Sequence, residues 1–207
     1  MLIKFNNIVF DWSGVIKDCV EDHLFVVNHM FKELGAPEIT MEELRANWVQ
    51  PYMLFYNKYL PSLTLEQEHD AYRRAIAKAP KAKPYPGIAE AIKRFKDKSI
   101  NMAVVSSDFP ETLFQEIEVF GLKNIFLDVV TNAHNKSDSL GELIQKHNFV
   151  REETIFIGDS NHEIEAGKNQ GIKTGAVTWG YSERERLLAS MPDFLVSSIK
   201  ELEDLVK

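Results

Sequence analysis

Seven positions in this chain carry side chains whose types and spacing suit work on a charged, oxygen-rich substrate: Asp11, Ser13, Ser106, Ser107, Lys136, Asp159 and Glu163. Asp11 follows the apolar run Ile8-Val9-Phe10, and Ser13 lies two residues on, just before Gly14. Ser106 and Ser107 follow the run that starts at Asn101, Lys136 lies in the loop after FLDVVT, and Asp159 follows IFIG with Glu163 one helical turn beyond. Carboxylate oxygens are hard donors that suit Mg²⁺, which is typically held by one or two carboxylates, water and a substrate phosphate. A lysine ammonium beside them would offset the charge of a nucleophilic carboxylate and of a transferring phosphoryl group. Each residue has a plainer role as well. Asp11 could end a turn, Ser106, Ser107 or Asp159-Ser160 could cap helices, and Lys136 could be a solvated surface lysine.

The elements that would position these residues alternate. After residue 80 the pattern predicts helices over 88–96, 111–120, 140–147 and 163–170 and strands over 101–105, 125–130, 154–157, 174–177 and 194–196, with a terminal helix. Such alternation predicts a parallel sheet with helices on both faces, and ligands of such sheets bind beyond the carboxyl ends of the strands. The polar positions share that place, each coming after an apolar strand. Residues 17–80 differ. Leu24, Val27, Met30, Phe31 and Leu34 fall at helical spacing with Gly35 and Pro37 as a stop, and Thr40/Glu43 and Thr64/Gln67 read as capping boxes that start two more helices. Pro51 and Pro61 interrupt what lies between them. The predicted organisation is therefore a Rossmann-like core of residues 1–16 and 81–207 with an all-helical insertion at 17–80, closed by the hinge APKAKPYPG.

Composition bounds the function classes. At 207 residues, with 44% hydrophobic and 27% charged residues, the chain has enough apolar content for one substantial core and an insertion. A net charge of −7 and a basic cluster limited to Lys78, Lys81 and Lys83 argue against a nucleic-acid partner. One cysteine, Cys19, precludes an intramolecular disulfide and suits a reducing compartment. The N-terminal residues show no basic-then-apolar signal, and no apolar run is long enough for a membrane span, so a cytoplasmic location is expected.

Taken together, VFDWSGV, VVSS, Lys136 in NKSDS and GDSNHEIEAG resemble the four motifs of the haloacid dehalogenase superfamily, in its subgroup with a helical cap between the first two motifs. PYPGIAEAIKRF and GIKTGAVTWGYSERE resemble its flanking segments, so the similarity spans nearly the whole chain. The resemblance implies a Rossmann-like core, Mg²⁺ dependence and phosphoryl transfer to an aspartate on a small phosphorylated metabolite. It implies Asp11 as nucleophile and metal ligand, the Ser13 carbonyl and Asp159 as further ligands, Ser106 and Ser107 at the phosphate, and Lys136 balancing charge. Glu163 stands where the family usually has an aspartate and would reach the metal through water.

One departure matters most. Where Ser13 stands the family carries an aspartate that protonates the leaving group and activates water, help worth about 10² to 10⁴ in rate. A serine hydroxyl is a poor proton donor near neutral pH, so turnover is expected to be weak or limited to good leaving groups, with acyl phosphates, pyrophosphates and aryl phosphates favoured over sugar or alkyl phosphates. Trp12 also resembles the phosphonoacetaldehyde hydrolase pattern, but neither Lys32 nor Lys58 matches that family's cap lysine. Trp48, Tyr52, Phe55, Tyr56 and Tyr59 could line a ligand site or form a core, and His162 could touch substrate or metal or sit exposed at a helix start. The competing readings are a catalytically impaired member that binds a phosphorylated ligand or protein partner, and a phospho-accepting receiver domain, which lacks so long an insertion.

Overall fold

The structure is a computed structural model and describes residues 5–49 and 51–206. In chain order, strands β1 (Asn7–Phe10) and β2 (Lys17–Asp18) lead into helices α1 (Val20–Leu34), α2 (Met41–Asn47), α3 (Met53–Tyr59) and α4 (Leu65–Ile76). There follow β3 (Lys83–Pro84), α5 (Ile88–Asp97), β4 (Asn101–Val105), α6 (Pro110–Val119), β5 (Asp128–Val130) and α7 (Lys136–Lys146). A 3₁₀ turn at Arg151–Glu153 precedes β6 (Thr154–Gly158), α8 (Asn161–Asn169), β7 (Lys173–Val177), α9 (Arg184–Ala189), β8 (Phe194–Val196) and α10 (Ile199–Asp204). The chain forms two compact units, one comprising the chain through Asp18 and again from Lys83, the other Cys19–Ala82.

The first unit is a parallel six-stranded sheet in the order β5-β4-β1-β6-β7-β8. β1 is central and buried throughout because both its faces are covered, which is why it reads as a continuous apolar run. Val9, Ala103, Val105 and Phe156 share one core with Leu140, Leu143 and Ile144 of α7 and Ala166 of α8. Register is pinned at the far end of the strands. Asn7 Nδ2 donates to Thr154 Oγ1 at 3.1 Å and Asn101 Nδ2 donates to Asn7 Oδ1 at 2.9 Å, a polar rung that a one-residue slip would break. The sheet order reverses between β1 and β6, so the crevice at their carboxyl ends is the natural ligand position.

Three features depart from the sequence expectations. Lys136 is not in a loop but is the first residue of α7, because Asn135 accepts the N–H groups of Ser137 and Asp138 and starts the helix four residues early. β5 covers only Asp128–Val130, since the chain turns through Asn124 at φ +61° just before it. Helix α3 forms where two prolines suggested interruption: Pro51 precedes its first turn and its carbonyl accepts the Leu54 N–H at 2.9 Å, a place where proline lacks nothing. The β2–β3 ribbon, two residues per strand, was too short for any periodic signal.

The second unit is helical. Both expected capping boxes are present, at Thr40/Glu43 and Thr64/Gln67. Phe55 and Tyr56 are buried with Val27, Met30 and Phe31, and Trp48, Tyr52 and Tyr59 pack against that cluster, so this aromatic concentration is the unit's own core. Lys32 and Lys58 are exposed. Glu68 of α4 is an exception within this unit: 3% exposed, with burial pushing its carboxyl up to about 7.

A raised carboxyl favours the folded state while protonated, so its stabilisation is full below the unfolded value and lost as pH rises through about 7. Glu68→Gln should therefore match the parent near pH 4 and gain about 1–3 kcal/mol on it by pH 8, read from urea unfolding at the two pH values. A gap that stays constant with pH would show that Glu68 carries no such burden.

Candidate active site

Asp11 emerges from the ladder at the end of β1, its N–H still donating to the Ile157 carbonyl at 2.9 Å while its carboxylate is buried at the carboxyl edge of the sheet. The next residue explains how that carboxylate is held. The Trp12 ring turns away into the core, stacks on Phe120 with centroids 5.5 Å apart, and donates Nε1–H to Glu116 Oε2 at 2.7 Å. The other Glu116 oxygen lies 2.6 Å from Lys17 Nζ. Burial pushes the Glu116 carboxyl up, and the Lys17 ammonium opposes this. Trp12 is thus an anchor, and its carbonyl takes the N–H groups of Ile16 and Lys17 at 2.9 Å to close the loop that follows.

Three carboxylates meet at this edge. Oxygens of Asp11, Asp159 and Glu163 all lie within 4.8 Å of one another, and all three residues are buried. Asp159 follows β6, and its Oδ2 accepts the Tyr181 N–H at 2.7 Å. Two glycines make room for it: a Cβ at Gly14, which has φ +83°, or at Gly180 would overlap the Asp159 carboxylate. Glu163 is fixed by a capping box at the start of α8, where its Oε2 accepts Ser160 N–H at 3.0 Å and Ser160 Oγ–H at 2.6 Å. Its Oε1 lies 2.7 Å from Lys136 Nζ, and the same ammonium lies 2.9 Å from Asp11 Oδ1.

The electrostatics follow from one ammonium facing three desolvated carboxylates. Burial, with the Glu163 and Asp108 charges, pushes Asp11 up to about 7 although Lys136 opposes it. Asp159 is driven well above the carboxylate range by burial and by the charges of Glu163 and Asp11. Burial acts against Glu163 too, but Lys136 and the Ser160 hydroxyl outweigh it and hold this carboxyl low. Burial also opposes the Lys136 charge, and Asp11 and Glu163 more than compensate, keeping the ammonium above its ordinary value. Such an oxygen-only set, short of positive charge, fits a hard divalent cation.

The hydroxyl-bearing positions are arranged differently. Ser106 is buried at the end of β4, and its Oγ accepts the Asp108 N–H at 3.1 Å. Neither Ser106 nor Ser107 caps α6, whose N-cap is Phe109 with no side-chain bond, and Ser107 is half-buried between Ser106 and Asp108. The Ser13 hydroxyl donates to Asp108 Oδ2 at 2.7 Å. His162 is half-buried rather than exposed, and burial holds its pKa down. Sequence reasoning passed over Asp108, the Tyr181 N–H and Gly180. Only the Ser160-x-x-Glu163 box carried a readable signal, since Asp108 needs the fold to meet Ser13.

Lys136→Met should remove about 3–5 kcal/mol of stability in chelator, because it leaves buried carboxylates without their ammonium. Millimolar Mg²⁺ should restore part of that loss. Equal losses with and without Mg²⁺ in urea unfolding would mean that no cation takes up the charge.

The profile of haloacid dehalogenase-like hydrolases matches residues 8–177. The pyrophosphatase PpaX of Listeria monocytogenes serotype 4a is 32% identical, covering 100% of this chain and 92% of that protein. A phosphoglycolate phosphatase from Aquifex aeolicus is 27% identical over 96% of this chain and 95% of its own. Among solved structures, a haloacid dehalogenase-like hydrolase from Streptococcus pneumoniae superposes with a TM-score of 0.79 at 23% identity, over 97% of this chain and 96% of that one, and shares the fold. The strand-end carboxylates and lysine thus belong to a chain of known kind: it is a member of the haloacid dehalogenase-like hydrolase family.

Proposed function

We propose that the protein is a Mg²⁺-dependent phosphatase of small phosphorylated metabolites that works through phosphorylation of Asp11 and favours substrates with good leaving groups. The observation that carries this reading is the 2.9 Å pair between Asp11 and Lys136 inside a trio of buried carboxylates at the sheet's carboxyl edge. Asp11 and Asp159, with the Ser13 carbonyl, would hold Mg²⁺, and Glu163 would reach it through water while keeping Lys136 in place. Bound there, the cation would neutralise charge gathering on the phosphoryl oxygens.

Within the chain, the Asp11 carboxylate attacks phosphorus in line with the departing oxygen, which leaves with the bonding pair. The Lys136 ammonium and the Ser106 hydroxyl, with Ser107 beside it, take the phosphoryl oxygens, and burial strengthens each of these contacts. Water then attacks the aspartyl phosphate and regenerates Asp11. These residues all belong to the unit built on the parallel sheet, which is therefore the catalytic one, and the helical insertion is left the role of a cap that selects substrate. A cytoplasmic setting suits the single cysteine.

Ser13 narrows the substrate class. Without a carboxylic acid to protonate the leaving oxygen, alkyl phosphates lose roughly 3–5 kcal/mol of barrier lowering. A phosphate leaving group needs no such proton, and the Listeria relative carries the name pyrophosphatase. A member retired from catalysis would keep the same carboxylates for ligand binding alone.

With Mg²⁺, the protein should hydrolyse pyrophosphate and p-nitrophenyl phosphate, and both chelation and Asp11→Asn should reduce turnover to background. Ser13→Asp should raise alkyl phosphate turnover at least about tenfold more than aryl phosphate turnover. Mg²⁺-dependent ligand binding with no turnover on either good leaving group would favour the binding role.

A further inference from the structure

Asp108 has no part in the reaction as described, yet it bonds to three separate segments of the chain. It lies just outside α6, one residue before the N-cap Phe109, and it does not cap that helix. Its carboxylate instead accepts the Ser13 hydroxyl at 2.7 Å. Its N–H donates to Ser106 Oγ at 3.1 Å, and its carbonyl accepts the Asn132 N–H at 3.1 Å. One residue therefore ties the loop after β1 to the hydroxyl at the end of β4 and to the turn after β5. It is also near enough for its charge to act on Asp11.

A hydroxyl has one hydrogen to donate and two lone pairs to offer. With that hydrogen committed to Asp108, Ser13 Oγ can present only lone pairs to its surroundings. We infer that Asp108 is a positioning residue: by accepting the Ser13 hydroxyl, it makes Ser13 Oγ an acceptor that orients the water attacking phospho-Asp11. This rests on the aspartyl phosphate proposed above and deepens it. In the step, the water oxygen bonds to phosphorus, the bond from phosphorus to the Asp11 oxygen breaks, and its electron pair returns to the Asp11 carboxylate. The product leaves as dihydrogen phosphate with both hydrogens of the water, so Asp108 neither gains nor loses a proton. Such a device serves the second half-reaction and does nothing for the leaving group. It fits a phosphatase limited to phosphoanhydrides and aryl phosphates.

Rapid mixing of the full chain with p-nitrophenyl phosphate and Mg²⁺ separates the two half-reactions. In Asp108→Ala and in Ser13→Ala, about one equivalent of nitrophenolate should appear at a rate within about threefold of the parent's first turnover, followed by a steady state roughly 10- to 100-fold slower. The double variant should be no slower than the slower single variant, because the two residues act as one pair. Asp108→Asn, which keeps an acceptor oxygen, should recover most of the steady-state rate. The inference is overturned if the first turnover and the steady state fall together, if the two losses add, if Asp108→Asn is as slow as Asp108→Ala, or if Asp108→Ala matches the parent. Absence of turnover in the parent, indistinguishable from Asp11→Asn, would instead overturn the phosphatase reading and this step with it.

Discussion

The rest of the structure answers to one constraint: three carboxylates are kept out of water within a few ångströms of one another, with the Lys136 ammonium shared by two of them. Like charges in so dry a place repel strongly and forgo their hydration, an arrangement that persists only where the surroundings over-determine it. Here they do. Lys136 is shared by Asp11 and Glu163, Ser160 holds the far oxygen of Glu163, and the Tyr181 N–H holds Asp159. The amide donors and the helix start beside Glu163 offset part of the repulsion with fixed dipoles. What they leave uncompensated is the negative charge that the proposed Mg²⁺ would neutralise.

The scaffold supplies the stiffness that such crowding needs. β1 hydrogen-bonds on both sides, so Asp11 cannot back away from Asp159 without loss of ladder bonds. Beyond Asp11, the buried Trp12, Glu116 and Lys17 contacts hold the loop against the core, and glycine at 14 and 180 lets two backbone segments close in on Asp159. Residues that touch no substrate in the proposed chemistry thus set the distances on which it would depend.

Much of this was legible because it followed strong periodicity. The parallel sheet could be read from apolar runs alternating with helical spacing, and Asp11, Lys136, Asp159 and Glu163 from their positions after those runs; the structure brings the four side chains together. The start of α7 was not legible, because an Asn135 cap outweighs the weak apolar pattern before Leu140. Helix α3 was hidden by a proline whose helix-initiating position only the backbone reveals. Asp108 was hidden for another reason. Its partner Ser13 is 95 residues away, and no local pattern encodes a contact made by sheet order alone.

The short ribbon of β2 and β3 has a consequence of a different kind. Asp18 and Lys83 face each other across it, so the chain leaves the sheet-bearing unit and re-enters it one strand spacing apart, about 5 Å. Such a doorway is indifferent to what lies beyond it. A hairpin, a larger bundle or another module could be grafted at that seam without shifting the register of any sheet strand, because the distance its two ends must span is already set.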